Sequence, residues 1–175
     1  LACREEDLPE PGDHYVTEIG VESILLVRQK DMSIRAFYNV CQHRGNKLVH
    51  SFEQPQEVAQ SFKCKYHDWE YGLDGGFVDI PDLETFPQGA PDCSGLTSLP
   101  CDSWGSFVWF SLNPDVEPLK DYLGIIPEHL NPYHFERMVL TKTLTVEWDC
   151  NWKASADAFN ESYHVQGIHP QLLYY

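Results

Sequence analysis

Two short motifs, each with one cysteine and one histidine, constrain this chain more than any other feature of its sequence. NVCQHRGNK contains Cys41-x-His43, and CKYHDW contains Cys64-x2-His67. Thiolate and imidazole groups are ligands for soft and borderline metals. Four such ligands on two loops are able to hold a structural zinc ion. They are equally able to hold a [2Fe–2S] cluster, with both cysteines on one iron and both histidines on the other.

The residues around the two motifs favour the cluster. Gly45, Gly72 and Trp69 lie in or next to the motifs. The sulfur atoms of such a cluster are tuned by hydrogen bonds and by a dry, apolar surrounding. Glycine-containing tight turns expose backbone N–H donors, and tryptophan excludes water, so the sequence predicts an iron–sulfur cluster.

The charge of the chain excludes two classes of partner. Its 175 residues include 12 Lys and Arg and 27 Asp and Glu, which gives a net charge of −15. Nucleic acids and anionic membrane surfaces attract basic proteins, so neither is expected to bind here. No apolar run reaches the ~18 residues of a membrane-spanning helix, and the first residues do not resemble a signal peptide. We therefore expect a soluble, cytoplasmic protein.

The cysteines outside the two motifs have no metal-ligand spacing. They are Cys3, Cys93, Cys101 and Cys150. With 42% hydrophobic residues the chain is able to bury a core without disulfides. We expect these four residues to be free thiols.

Hydrophobic alternation predicts a small antiparallel barrel or sandwich over residues 14–112. The strand-like runs are HYVTEIG, SILLVRQ, SIRAFYNV, VAQSFKC and SWGSFVWFSL. A connector rich in proline follows, with one helical turn predicted at Leu119–Leu123. After it, MVLTKTLTVEW predicts a long strand and NWKASADAFNESYHV predicts a helix.

A second candidate metal centre lies in FNESYHVQGIHP, which contains Glu161-x2-His164-x4-His169. On one continuous helix, Asp157, Glu161 and His164 would occupy positions i, i+4 and i+7 of one face. Two imidazoles and one carboxylate form the facial triad of non-haem Fe(II) oxygenases, which leaves positions open for O₂ and substrate. Taken alone, the pattern also fits surface histidines at the end of a helix.

The combined motifs resemble the catalytic α subunit of Rieske non-haem iron oxygenases, the family of aromatic ring-hydroxylating dioxygenases and their monooxygenase and demethylase relatives. The resemblance runs through IRAFYNVCQHRG, CKYHDWEYGLDGGF, CNWK and the acidic-x2-His-x4-His run, and covers nearly the whole chain. It implies a [2Fe–2S] cluster on the two Cys–His motifs and a mononuclear Fe(II) on His164 and His169. It also implies that Glu161 links the two centres and that the third iron ligand is an acidic residue beyond residue 175.

The resemblance implies a mainly β fold of two parts. A Rieske-type antiparallel β domain is expected over residues 1–118, followed over residues 119–175 by the start of an α+β helix-grip catalytic domain. The chain stops before the expected third iron ligand. We therefore expect it to be an N-terminal fragment of an oxygenase that is inactive in isolation.

Differences from respiratory Rieske proteins indicate a low reduction potential. Those proteins carry two additional cysteines that form a disulfide beside the cluster, and the corresponding positions here are Asn46 and Tyr66. Trp69 stands where they have a hydroxyl that bonds a cluster sulfur. Fewer hydrogen bonds to the sulfurs stabilise the reduced cluster less. The cluster is expected to give its electron away readily.

The chain also departs from the oxygenase family at several positions. Lys65 and Asp68 stand where Pro and Gly are usual, and Ala158 stands where Asn is usual. The linking acid is Glu161 where Asp is usual. FEQPQEVAQ lengthens the gap between the two motifs, which a surface loop accommodates at small entropic cost.

The resemblance implies partners as well. A ferredoxin or flavin reductase would deliver electrons, and O₂ and a small organic substrate would react at the iron. The α subunits would form a head-to-tail ring, usually a homotrimer, or a hetero-oligomer with a β subunit, in which His67 of one chain faces Glu161 of the next. Two alternatives are a Rieske ferredoxin that only carries electrons and a zinc-braced binding module. The Glu161–His169 motif argues against the ferredoxin.

Overall fold

The computed structural model describes residues 1–50, 58–89, 91 and 94–174. Cys93 and most of FEQPQEVAQ lie outside these residues. The chain forms two compact units, Leu1–Met138 and Val139–Tyr175. The first is built mainly from antiparallel strands and the second from short helices, which confirms the mainly β class. The functional boundary expected between residues 118 and 119 stays a prediction.

Antiparallel strands in three sheets make up most of the first unit. The strands are β1 (Cys3–Arg4), β2 (His14–Ile19), β3 (Glu22–Arg28), β4 (Ile34–Tyr38), β5 (Ser61–Lys63), β6 (Glu70–Gly72), β7 (Phe77–Asp79), β8 (Ser98–Leu99), β9 (Cys101–Trp104) and β10 (Phe107–Phe110). Their orders in the three sheets are β2-β3-β4-β8, β1-β10-β9 and β5-β6-β7. All five predicted strand runs contain strands of the structure.

Strand β3 separates two hydrophobic cores because its side chains alternate between the two faces of the sheet. Leu25 and Val27 pack in the core that also contains Cys41, Cys64 and Trp69. Ile24 and Leu26 point the other way, into a core formed with β1 and β10. All four side chains are fully buried. The two predicted cluster cysteines therefore belong to the core that packs against one face of β3.

The helices are short. They are α1 (Leu119–Leu123), α2 (Ile126–Leu130), α3 (Trp152–Phe159) and α4 (Val165–Ile168), with 3-10 turns at Glu5–Asp7, Leu83–Thr85, Asn131–Tyr133, Phe135–Arg137 and Pro170–Tyr174. Helix α1 coincides with the predicted helical turn. Within the described residues, no helix has the length and apolar character needed to cross a bilayer.

The second unit differs from its sequence prediction in two ways. No strand forms within MVLTKTLTVEW, whose residues are exposed and pair with none of the described strands. A strand needs a neighbour to satisfy its backbone groups, and hydrophobic alternation alone does not supply one.

The predicted long helix also ends early, at Phe159. Beyond it, the Glu161 carboxylate accepts hydrogen bonds from the backbone N–H groups of Tyr163 and His164. A side chain that bonds nearby amides competes with helical hydrogen bonding. Asp157, Glu161 and His164 therefore do not share the face of one helix.

Candidate metal centres

The two predicted cluster loops share one backbone design. In the first, Cys41 N–H donates to Asn46 C=O at 2.8 Å, and Gly45 N–H donates to Cys41 C=O at 3.0 Å. In the second, Cys64 N–H donates to Trp69 C=O at 2.8 Å, and Asp68 N–H donates to Cys64 C=O at 2.9 Å. In both loops the cysteine N–H donates to the carbonyl five residues later, and the cysteine carbonyl accepts from the N–H four residues later. These two bonds fix the backbone positions of the cysteine and of the histidine that follows it.

The fourth residue after each cysteine is in the left-handed conformation. Gly45 has φ 70° and Asp68 has φ 60°. Glycine adopts this conformation at no steric cost, whereas aspartate pays for its Cβ. The turn therefore explains why glycine is the expected residue at this place, and Asp68 is an exception with a cost.

The loops bring the two predicted histidine ligands together and bury the two predicted cysteine ligands. Cys41 and Cys64 are each only 1% exposed, His43 is half-buried and His67 is exposed. The centroids of the two histidine rings are 4.5 Å apart, and the ring planes meet at 64°. Rings bound to one ion through bonds of about 2.1 Å have centroids no more than roughly 6.5 Å apart. The two histidines are therefore placed to share one iron.

A nitrogen without a partner indicates what this site holds. The His43 ring stacks on Trp69, with centroids 4.8 Å apart and planes 8° from parallel. Its Nδ1 is buried and has no hydrogen-bond partner within the described residues. A buried polar atom without a partner is costly, and binding to a metal ion removes that cost. The donor set and the orphaned nitrogen fit an iron ligated through Nδ1.

The arrangement also bears on the choice between a cluster and a zinc ion. In the part of the chain that the structure describes, no three His, Cys, Asp or Glu side chains converge as ligands of a single ion. A structural zinc site brings four ligands to one point, whereas a Rieske cluster divides its ligands into a cysteine pair and a histidine pair. The adjacent rings of His43 and His67 fit the histidine pair of such a cluster.

Tyr71 lies beside the first predicted cluster cysteine and was missed by the sequence analysis. It is fully buried in β6, and its hydroxyl accepts a hydrogen bond from Gln42 N–H at 2.9 Å. The same oxygen lies 3.2 Å from Cys41 Sγ. Because the Gln42 amide is the donor in the first bond, the Tyr71 proton is free to point to the sulfur. Trp69 and Tyr71 are two residues apart in CKYHDWEYG, and both are buried. This alternation was a sequence signal for the burial of Tyr71, but not for its contact with Cys41.

Burial shapes the proton chemistry of this pair. It raises the pKa of the Cys41 thiol and is likewise the main cause of the raised pKa of Tyr71. The protein matrix alone therefore keeps Cys41 as a neutral thiol, and a bound metal cation has to supply the charge that favours the thiolate.

Asn39 fastens the base of the first loop. It is fully buried, and its Oδ1 accepts the N–H groups of Leu48 at 3.2 Å and Val49 at 3.0 Å. Its Nδ2 donates to Val49 C=O at 2.6 Å and to Ser23 Oγ at 3.1 Å. One side chain thus joins both ends of the loop that carries Cys41 and His43 to β3.

The second candidate centre lies at the ends of α4. His164 precedes the helix and His169 follows it. Both are half-buried, and their ring centroids are 5.6 Å apart with planes at 76°. This separation also lies within the reach of two imidazoles on one ion. The structure therefore places the two predicted iron ligands together.

Glu161 orients His164. Its carboxylate accepts a hydrogen bond from His164 Nδ1 and another, at 3.2 Å, from the His164 backbone N–H. The bond to the imidazole is the main cause of the lowered pKa of Glu161. A carboxylate on one ring nitrogen fixes the tautomer and leaves the other nitrogen for a metal. Nε2 of His164 is therefore the available ligand atom.

Comparisons with protein families match the two stretches of the chain that contain the candidate centres. Residues 1–100 match the Rieske [2Fe-2S] domain, and residues 135–174 match the catalytic domain of the ring hydroxylating alpha subunit. The large oxygenase component of the naphthalene 1,2-dioxygenase system of Pseudomonas aeruginosa is 35% identical over 173 residues. The glycine betaine monooxygenase oxygenase subunit of Chromohalobacter salexigens is 31% identical over 169 residues. These matches cover 95% of this chain but only 38% and 37% of the relatives.

Solved structures are similar over nearly the full length of the chain. The quaternary ammonium Rieske monooxygenase CntA in complex with L-carnitine superposes with a TM-score of 0.87 at 26% identity. That match covers 98% of this chain and 48% of CntA. A naphthalene 1,2-dioxygenase mutant bound to phenanthrene gives a TM-score of 0.82 at 31% identity, over 97% of this chain and 39% of the other.

Proposed function

The chain belongs to the Rieske non-haem iron oxygenase family, and we propose that it forms the electron-transfer domain and the beginning of the catalytic domain of an oxygenase α subunit. Residues 1–118 constitute the first of these domains and residues 119–175 the start of the second. The whole protein hydroxylates or demethylates a small organic substrate with O₂. It supplies the reaction with electrons that arrive at the first centre and leave at the second.

The cofactors of this family are a [2Fe–2S] cluster and a mononuclear iron. Cys41 and Cys64 bind one iron of the cluster, and His43 and His67 bind the other. The pairing is supported by the two buried sulfurs and by the 4.5 Å between the histidine rings. His164 and His169 bind the mononuclear iron, and Glu161 holds His164 in the orientation that ligation needs.

Each group supplies its own chemistry when bound: the cluster stores one electron, and the mononuclear iron activates O₂. The residues of this chain set the conditions. Trp69 and the surrounding core exclude water from the sulfurs, and Tyr71 offers its proton to Cys41 Sγ. Exposed His67 gives the cluster a face toward solvent or a partner.

The observation that carries the proposal is the orphaned Nδ1 of His43 beside two buried cysteines and a second imidazole. The test is iron and acid-labile sulfide content of anaerobically purified protein, together with its visible absorption. We expect two irons and two sulfides per cluster-bearing domain, lost in Cys41→Ala and His43→Ala. His129→Ala, a change of a histidine outside both centres, should retain them. A colourless wild-type protein with one zinc per chain would refute the proposal.

A ferredoxin or a flavin reductase delivers the electrons, in keeping with the naming of the relatives as components of multi-component systems. Subunits assemble head to tail as a homotrimer, alone or with a β subunit, so that His67 of one chain meets Glu161 of the adjacent chain. A ferredoxin that only carries electrons would need the first centre alone. The pairing of His164 and His169, oriented by Glu161, favours the oxygenase.

A further inference from the structure

Asp68 occupies a backbone position that penalises it. The two cluster loops close on their cysteines in the same way, and both place a left-handed residue four positions after the cysteine. Gly45 fills that position in the first loop without strain. Asp68 fills it in the second with φ 60°. A strained residue persists where the surrounding structure enforces it, and such residues concentrate at functional sites.

Asp68 carries a carboxylate in the loop that holds two of the proposed cluster ligands. Asp68 directly follows His67, and its backbone N–H is bound to the carbonyl of Cys64 at 2.9 Å. It is thus tied to one proposed ligand by a peptide bond and to another by a hydrogen bond. The side chain is exposed, and its carboxylate has no hydrogen bond or ion pair with another described residue. The carboxylate is therefore carried at the surface of the ligand loop, next to His67 in the sequence.

We propose that Asp68 lowers the reduction potential of the cluster through the charge that its strained position holds beside His67 and Cys64. Adding an electron to the cluster increases its negative charge, and a nearby carboxylate makes that addition less favourable. The residue acts on the cluster from a distance and positions no substrate. The inference rests on the proposed function, because it requires the cluster to be bound at these loops.

Two substitutions separate the charge from the strain. Asp68→Asn keeps the volume and a side chain that tolerates the left-handed conformation, but removes the charge. Asp68→Gly removes both the charge and the strain. Asp82→Asn is the matched control, because Asp82 is an aspartate in the same left-handed conformation, with φ 54°, outside the ligand loops.

The measurement is the midpoint potential of the cluster-loaded protein, at low and at high salt. We expect Asp68→Asn and Asp68→Gly to raise it equally, by about a three- to tenfold increase in the equilibrium constant for one-electron reduction, or roughly 30–60 mV. The increase should shrink at high salt because the carboxylate is exposed. Asp68→Gly alone should also raise the temperature at which the cluster-loaded protein unfolds. Asp82→Asn should leave the potential unchanged.

Cluster content is measured first in every variant. A wild-type protein without a cluster would refute the proposed function. A full cluster with the same midpoint potential in wild type and in Asp68→Asn would refute the role of Asp68 but not the proposed function. An unchanged potential combined with a higher KM for the electron donor would assign the charge to docking, and would equally overturn the proposal.

Discussion

At the scale of single residues, the hydroxyl of Tyr71 lies within hydrogen-bond distance of the sulfur of Cys41, a proposed cluster ligand. Its oxygen accepts a hydrogen bond from the Gln42 backbone N–H at 2.9 Å and lies 3.2 Å from Cys41 Sγ. The hydroxyl proton is therefore free to point to the sulfur. The sulfur of the reduced cluster carries more negative charge and gains more from this bond. Trp69 stands where respiratory Rieske proteins have a hydroxyl that bonds a cluster sulfur. Tyr71 offers a hydroxyl to the sulfur of Cys41, and this bond was not foreseen from the sequence.

Tyr71→Phe removes this bond and keeps the ring. We expect a cluster with a lower midpoint potential, because the reduced state loses roughly 1 kcal/mol more than the oxidised state, or about 40 mV. Potentiometric titration of the cluster-loaded protein measures it. Tyr15→Phe, the same change in the other hydrophobic core, is the control and should leave the potential unaltered. Equal potentials for Tyr71→Phe and wild type would show that the hydroxyl does not bond the ligated sulfur.

Glu161 is the second residue whose proposed role is testable by one substitution. Its carboxylate accepts from the imidazole and the backbone N–H of His164. Glu161→Gln keeps size and reach but removes the charge. In the complete oxygenase we expect an intact cluster and retained iron, with turnover reduced by ~10-fold or more, as for other residues that orient metal ligands. Metal analysis and product formation per iron are the two measurements, and wild-type turnover would contradict the assignment.

At the scale of elements, the first cluster loop depends on one buried amide. Asn39→Ala leaves the N–H groups of Leu48 and Val49 without acceptors inside the protein. We expect a loss of about 2–4 kcal/mol in the free energy of unfolding, since several buried hydrogen bonds are removed together. The cluster should also bleach faster under chelator. Asn113→Ala, on an exposed turn, is the control. A stable Asn39→Ala protein with normal bleaching would show that the loop holds itself.

The elements also show how far the sequence was informative. The longer strands of the first unit were predictable, because β3 alternates its side chains between two cores. The short strands β1, β6, β7 and β8 lie outside the predicted runs. The helical turn at Leu119–Leu123 was predictable because a proline precedes it and a glycine follows it. The strand expected in MVLTKTLTVEW was not found, because alternation specifies a face but not the partner strand that a sheet requires.

The sequence was also informative about part of the two candidate metal centres. The spacing of the Cys and His residues was enough to predict the cysteine and histidine ligands of both centres, because few residue types bind these metals. The helix through Glu161 was wrong, because a side chain that bonds the amides of Tyr163 and His164 ends helical pairing. Tyr71 and Asn39 were missed, because their roles depend on contacts across 29 or 30 residues for Tyr71 and across 16 for Asn39 and Ser23.

At the scale of the whole molecule, the proposed ring makes electron transfer a property of the assembly. A variant without a cluster, Cys64→Ala, and one without an iron site, His164→Ala, should each be inactive. In the complete oxygenase, the two variants mixed and reassembled in equal amounts should recover about a quarter of wild-type activity, because random neighbours in a closed ring pair an intact cluster with an intact iron site at that frequency. Activity absent from the mixed oligomers, with oligomer formation verified, would place the electron path within one chain.

The most direct test of the central claim, that this chain binds a cluster through two cysteines and two histidines, is magnetic resonance on the reduced protein. Protein labelled with ¹⁵N only at histidine is reduced, and its EPR signal is examined for coupling to nitrogen. We predict a rhombic signal, with an average g typical of mixed nitrogen and sulfur ligation, that shows coupling to two histidine nitrogens. His43→Ala and His67→Ala should each abolish this rhombic signal. A signal without histidine coupling, or one zinc per chain and no signal, would contradict the account.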